Sequence, residues 1–89
     1  MKEAVILTIH GKVQGTGFRF FIQRKAEALG LTGFVRNHAD GTVHVEAEGE
    51  PLQLQLLIAA CQRGPEHAHI EKVDIQFCPV VGHQVFWMK

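Results

Sequence analysis

Residues Ala4–His10 (AVILTIH) form a β-branched, mostly apolar run closed by Gly11, the pattern of a buried strand. Gly11–Gly17 (GKVQGTG) then sets three glycines in seven residues, a loop that needs unusual backbone angles or lets something approach closely. From Phe18 the period lengthens. Phe18, Phe21, Ile22, Ala26 and Leu29 fall at helical spacing, with Arg19, Gln23, Arg24 and Glu27 on other faces, and Gly30 is the expected left-handed stop. Gly33–Asn37 and Thr42–Glu48 predict two strands of a hairpin across Asp40-Gly41. In the second strand Val43, Val45 and Ala47 alternate with His44, Glu46 and Glu48, which places both glutamates on a solvated face. Pro51 opens a second helix whose apolar face is expected to carry Leu52, Leu56, Leu57 and Ala60, up to a Gly64-Pro65 break. Ile70–Phe77 predicts a fourth strand and Gln84–Met88 a short fifth at an edge. Phe18, Phe21, Leu56 and Leu57 are expected in the core.

The order β-α-β-β-α-β plus a short C-terminal strand is that of an α+β, ferredoxin-like split β-α-β sandwich, with two helices on one face of an antiparallel sheet. Strands one and two then run parallel with another strand between them. Their C-terminal ends share one sheet edge, which brings Gly15 and Asn37 together. The chain has 89 residues, 46% of them hydrophobic and 20% charged, the make-up of a single domain over residues 1–89.

Charge and missing residue types narrow the chemistry. Nine basic residues balance nine acidic ones, which argues against a nucleic-acid partner held by phosphate neutralisation. No apolar run reaches the ~18–20 residues of a membrane span and no leader pattern opens the chain, so a soluble, cytoplasmic protein with no membrane contact is expected. Serine and tyrosine are absent, which excludes a serine hydrolase and a tyrosine base. Cys61 and Cys78 make no metal pattern and read as free thiols. His67 and His69 have metal-like spacing but no third ligand, so no metal site is expected. His10 and His44 read as exposed strand residues, and His38 as a rim residue beside Asn37.

A glycine-rich loop running from a strand into a helix N-terminus is a physical recipe for anion binding, because successive amides can turn inward and the helix dipole adds positive potential. Most three-glycine loops are only tight connections. Arg19 adds weight, since a cation in the first helical turn opposes the dipole unless a bound phosphate or carboxylate compensates both. Gly15-Thr16-Gly17 lacks the third glycine of a dinucleotide fingerprint, Phe20 standing there, and the spacing of a P-loop is missing.

The segment Gly11-Lys12-Val13-Gln14-Gly15-Thr16-Gly17-Phe18-Arg19 resembles the first signature of the acylphosphatases, G-x-V-Q-G-V-x-F-R. Gly33-Phe34-Val35-Arg36-Asn37, followed by Asp40-Gly41-Thr42-Val43, resembles their second, G-x-V-x-N-x-x-D-G-x-V. The resemblance spans nearly the whole chain. It implies a hydrolase without metal or cofactor that cleaves small-molecule acyl phosphates into carboxylate and inorganic phosphate; a monomer is the default expectation. By the same correspondence Arg19 binds the substrate phosphate, the loop Gly11, Lys12, Val13, Gln14, Gly15 and Thr16 cradles it through backbone amides, and Asn37 orients the attacking water.

Two departures stand out. Thr16 replaces the usual valine or isoleucine and brings a hydroxyl that either meets the phosphate or points to solvent. The tail Phe86-Trp87-Met88-Lys89 lacks the common aromatic end, which is expected to affect edge packing and not the site. A non-catalytic module binding a phosphorylated or carbamoylated metabolite or partner is the alternative, since similar domains occur inside larger carbamoyl-phosphate-handling proteins. Single-stranded RNA binding on the open sheet face is disfavoured by the neutral charge and the lack of an aromatic-rich signature.

Overall fold

The computed structural model describes residues 1–89. Its elements are β1 (Glu3–Lys12), α1 (Phe18–Ala28), β2 (Thr32–Asn37), β3 (Val43–Gly49), α2 (Pro51–Arg63), β4 (His69–Cys78) and β5 (Phe86–Met88). Their order in the sheet is β4-β1-β3-β2-β5. The first four strands pair antiparallel, and β1 and β2 flank β3 as the split β-α-β arrangement requires. β5 extends this antiparallel sheet by one parallel strand, Phe34 standing opposite Trp87.

The core lies between the helices and one sheet face. Val5, Leu7 and Ile9 of β1 and Val43, Val45 and Ala47 of β3 point into it, each fully buried, the β3 set as its alternation predicts. From α1, Phe18, Ile22 and Ala26 pack against them at a four-residue spacing. That helix ends in a Schellman motif: Leu31 N–H donates to the Ala26 carbonyl and Gly30 N–H to that of Glu27, with Gly30 at φ 71°. No helix is long and apolar enough to cross a membrane.

The phase of α2 differs from expectation. Leu52 is 70% and Leu56 49% exposed, while Leu54, Leu57, Ile58 and Cys61 face the sheet. Apolar residues occupy nearly every face of this helix, so spacing alone admits several phases. The i, i+3, i+4, i+7 set starting at Leu54 wins because it fills the space over β1 and β3.

The open sheet face is also drier than the alternation of β3 suggests. Glu48 is only 3% exposed. Its carboxylate accepts three backbone hydrogen bonds, from Val81 at 2.6 Å, Gly82 at 3.1 Å and His83 at 3.0 Å, and so fastens the β4–β5 connection across that face. Burial alone would raise its pKa, but these three amides together bring it below the ordinary carboxylate value. Glu46 is half-buried and pairs with His44 Nε2 at 3.1 Å, so neither is a freely solvated strand residue. His10 likewise meets Asp74 at 2.8 Å.

Candidate active site

At the sheet edge where β1 and β2 end, a cavity of about 230 Å³ is lined by Val13, Gly15, Gly17, Phe18, Arg19, Phe20, Asn37 and Met88. Three elements meet there. The loop after β1 supplies its floor, with Gly15 at φ 77° and Gly17 at φ 80°, a left-handed backbone that glycine adopts without strain. Gly17 is also the N-cap of α1 and offers no side chain to the helix. The first intrahelical bond runs from Phe21 N–H to the Gly17 carbonyl at 3.0 Å. The amides of Phe18, Arg19 and Phe20 therefore precede the helical ladder, as at any helix start, and all three residues line the cavity. No acidic residue occupies that first turn.

Arg19 enters from α1, half-buried. Its Nη1 donates to the main-chain oxygen of Lys89 at 2.7 Å, which fixes the guanidinium and leaves its other donors for a ligand. Lys89 is held in turn, its N–H donating to the Val35 carbonyl at 2.8 Å. The tail thus reaches the site twice, through Met88 in the lining and through Lys89 on Arg19, contrary to the expectation that it affects edge packing alone. The reason is the parallel pairing of β5 with β2, which carries the tail toward the end of β2 where Asn37 stands.

Asn37 is the last residue of β2, opposite Val43. The turn after it is held twice over. Asp40 Oδ1 accepts from Thr42 N–H at 2.9 Å and from the Thr42 hydroxyl at 2.6 Å. Those two hydrogen bonds, the hydroxyl's foremost, lower the Asp40 pKa. Gln14 then bridges loop to turn, its Nε2 donating to the carbonyls of His38 at 2.6 Å and Thr42 at 3.0 Å. This strut sets the glycine loop beside Asn37. A glutamine in a glycine-rich segment carries no periodic signal that would reveal it.

The remaining loop residues stand apart from the cavity lining. Gly11 and Lys12 belong to β1 and pair with β4, the register shifting between His10 and Gly11. A side chain at Gly11, at φ 129°, would overlap the His69 carbonyl oxygen, so its glycine serves the close approach of two strands. Thr16 turns its hydroxyl inward to the Val13 carbonyl at 2.5 Å, neither onto the cavity nor out to solvent. No three His, Cys, Asp or Glu side chains converge in a metal-binding group.

Comparison with known proteins matches the family model described as Acylphosphatase to residues 5–87. An acylphosphatase of Synechococcus sp. (strain CC9311) is 45% identical over 86 residues, 97% of this chain and 96% of its own. The solved structure of an acylphosphatase from Coxiella burnetii superposes with a TM-score of 0.95 at 33% identity, over 99% of this chain and 93% of that one. Full-length HypF, solved in a phosphate- and nucleotide-bound form, matches with a TM-score of 0.94 at 28% identity, covering 100% of this chain but 12% of its own.

Proposed function

The chain belongs to the acylphosphatase family and, as an enzyme of that family, hydrolyses acyl phosphates; we propose that Arg19 and Asn37 carry the reaction, with the Val13–Gly17 part of the loop and the start of α1 holding the phosphate. The observation that supports this most directly is the one cavity that Gly15, Gly17, Arg19 and Asn37 line together.

Phosphoryl transfer leaves a protein little covalent work; positioning and charge stabilisation dominate. The substrate phosphate takes the free amides at the head of α1 and the unspent donors of Arg19, a set that strengthens as charge builds on the equatorial oxygens. Asn37 cannot act as a base, since an amide has no useful pKa, but its carbonyl oxygen accepts a hydrogen bond from water. The water oxygen forms the new P–O bond while the bond to the acyl oxygen breaks, and that electron pair leaves as a carboxylate. A carboxylate departs without a proton, so no strong acid is needed. The water's proton passes to a phosphate oxygen of the substrate.

The test is hydrolysis of benzoyl phosphate in EDTA by the wild type, Arg19→Ala and Asn37→Ala. Turnover is expected to persist in EDTA and to fall about 10²–10³-fold in each variant, the cost of losing one group that stabilises the transition state. Wild-type rates in Asn37→Ala would remove its role with water. A folded wild type that binds inorganic phosphate without turnover would point to the non-catalytic module instead. A monomer in a reducing, cytoplasmic setting, with no nucleic-acid partner, completes the reading; the neutral net charge and the free thiols of Cys61 and Cys78 support it.

A further inference from the structure

We propose that the groove beside the phosphate cavity receives the acyl end of the substrate, and that it favours acyl groups with an aromatic or apolar body ending in a second anionic group. The inference rests on the phosphate reading above and deepens it. The largest cavity of the molecule, about 510 Å³, runs along α1 and is lined by Gly17, Phe20, Phe21, Arg24, Lys25 and Pro65, with Ala28 at its far end. It shares two residues, Gly17 and Phe20, with the phosphate cavity. An acyl group leaving the phosphate past Phe20 therefore enters a space already walled by two aromatic rings.

Phe21 and Lys25 also serve the fold, Phe21 packed on the core edge-on to Phe18 and Lys25 in the last turn of α1, whereas Phe20 and Arg24 line the groove without such a role. Phe20, two positions on from the buried Phe18 and so on the opposite side of α1, is 55% exposed. Arg24 holds its guanidinium 5.6 Å from the Phe20 ring centroid, and Lys25 its ammonium 6.0 Å from that of Phe21. Neither cation belongs to any of the ion pairs of the structure. Seven residues of helix part Gly17 from Arg24, about 10 Å of rise, and helical side chains lean back toward the N-terminus. Arg24 thus presents its charge over Phe20, roughly one aromatic ring beyond the phosphate cavity. A distal carboxylate arriving there meets a planar guanidinium that pairs with it bidentately, while the ring of the acyl group rests on Phe20. Small acyl groups such as acetyl reach neither.

The probe is 4-carboxybenzoyl phosphate, whose second carboxylate sits across a rigid ring from the anhydride and cannot attack it, compared with benzoyl phosphate. The readout is the ratio of their kcat/KM values, which cancels any general effect on catalysis. The groove is open to solvent, so the Arg24→Ala/Lys25→Ala double variant is expected to lower that ratio about three- to tenfold, with the change carried by KM. Added salt is expected to lower the wild-type ratio as well. A ratio unchanged by the double substitution, in a wild type that hydrolyses both compounds, would overturn the acyl subsite alone. A wild type inactive on both compounds and on acetyl phosphate would overturn the phosphate reading and the subsite with it.

Discussion

Replacing Glu48 by glutamine tests how the β4–β5 connection is held, and its cost follows from the three amides on one carboxylate. Hydrogen bonds to a charged group contribute about 1.5–3 kcal/mol each, less the cost of keeping that charge out of water. Glu48, 3% exposed, incurs most of that cost. Glutamine keeps the shape but offers a single acceptor oxygen, and its amide nitrogen must face a donor among Val81, Gly82 and His83. A net loss of about 2 kcal/mol follows, which for a domain of this size lowers Tm by about 8–16 °C. The pH dependence supplies a second reading of the same contact. Because the folded carboxyl titrates below its ordinary value near 4.5, its contribution is complete above that value and lost as pH falls through the lower folded value. Thermal melts of wild type and Glu48→Gln should therefore lie well apart near pH 7 and converge as the pH falls below 4.5 through the lower folded value. A constant separation across that range, or Glu48→Gln as stable as wild type at neutral pH, would refute the charge-assisted clamp.

Two further outcomes are expected. Gly33→Ala puts a side chain against the Glu46 carbonyl oxygen at φ 138°, where two strands approach most closely, and should cost about 3 kcal/mol or more, seen as a lowered denaturation midpoint or a loss of folded protein. Burial pushes the Cys61 thiol up to about 12, so a thiol reagent should titrate a single cysteine, Cys78, in the native protein and both in guanidinium. Cys78 should react slowly, since desolvation and then the nearby Glu46 and Glu48 raise its pKa too.

What the chain discloses before folding is mostly what repeats at short range. The core-facing half of β3's alternation, the four-residue spacing of Phe18, Ile22 and Ala26, and the Asp40-Gly41 turn are local patterns, and each reappears where it was expected, whereas the polar half of β3 does not stay solvated at Glu48. Topology sends the ends of β1 and β2 to one edge and so sets Asn37 beside the glycine loop, Arg19 stood out as a cation in the first turn of α1, and the roles of both came from the resemblance to the acylphosphatase signatures. Contacts across a long sequence separation left no such trace. Gln14 reaches across to His38 and Thr42, Glu48 reaches thirty-odd residues to the β4–β5 connection, and Arg19 meets a residue seventy positions away. Leu52 and Leu56 misled for the opposite reason: α2 has more apolar residues than its buried face can hold.

The long-range contacts also explain how the tail reaches the site despite its atypical end. β5 has only three residues and one neighbouring strand, too little pairing to persist alone in water. It is held at entry, where Gly33 N–H donates to the Val85 carbonyl and Glu48 fastens the residues just before, and at exit, where Lys89 meets Val35 and Arg19. The exit contact works in both directions. The tail carbonyl orients the guanidinium, and the guanidinium anchors the tail. What this end requires of the sequence is main-chain pairing and Phe86 in the core, both indifferent to whether the last side chain is aromatic. Met88 and Lys89 can therefore stand where an aromatic end is usual while the main chain still delivers an oxygen to Arg19.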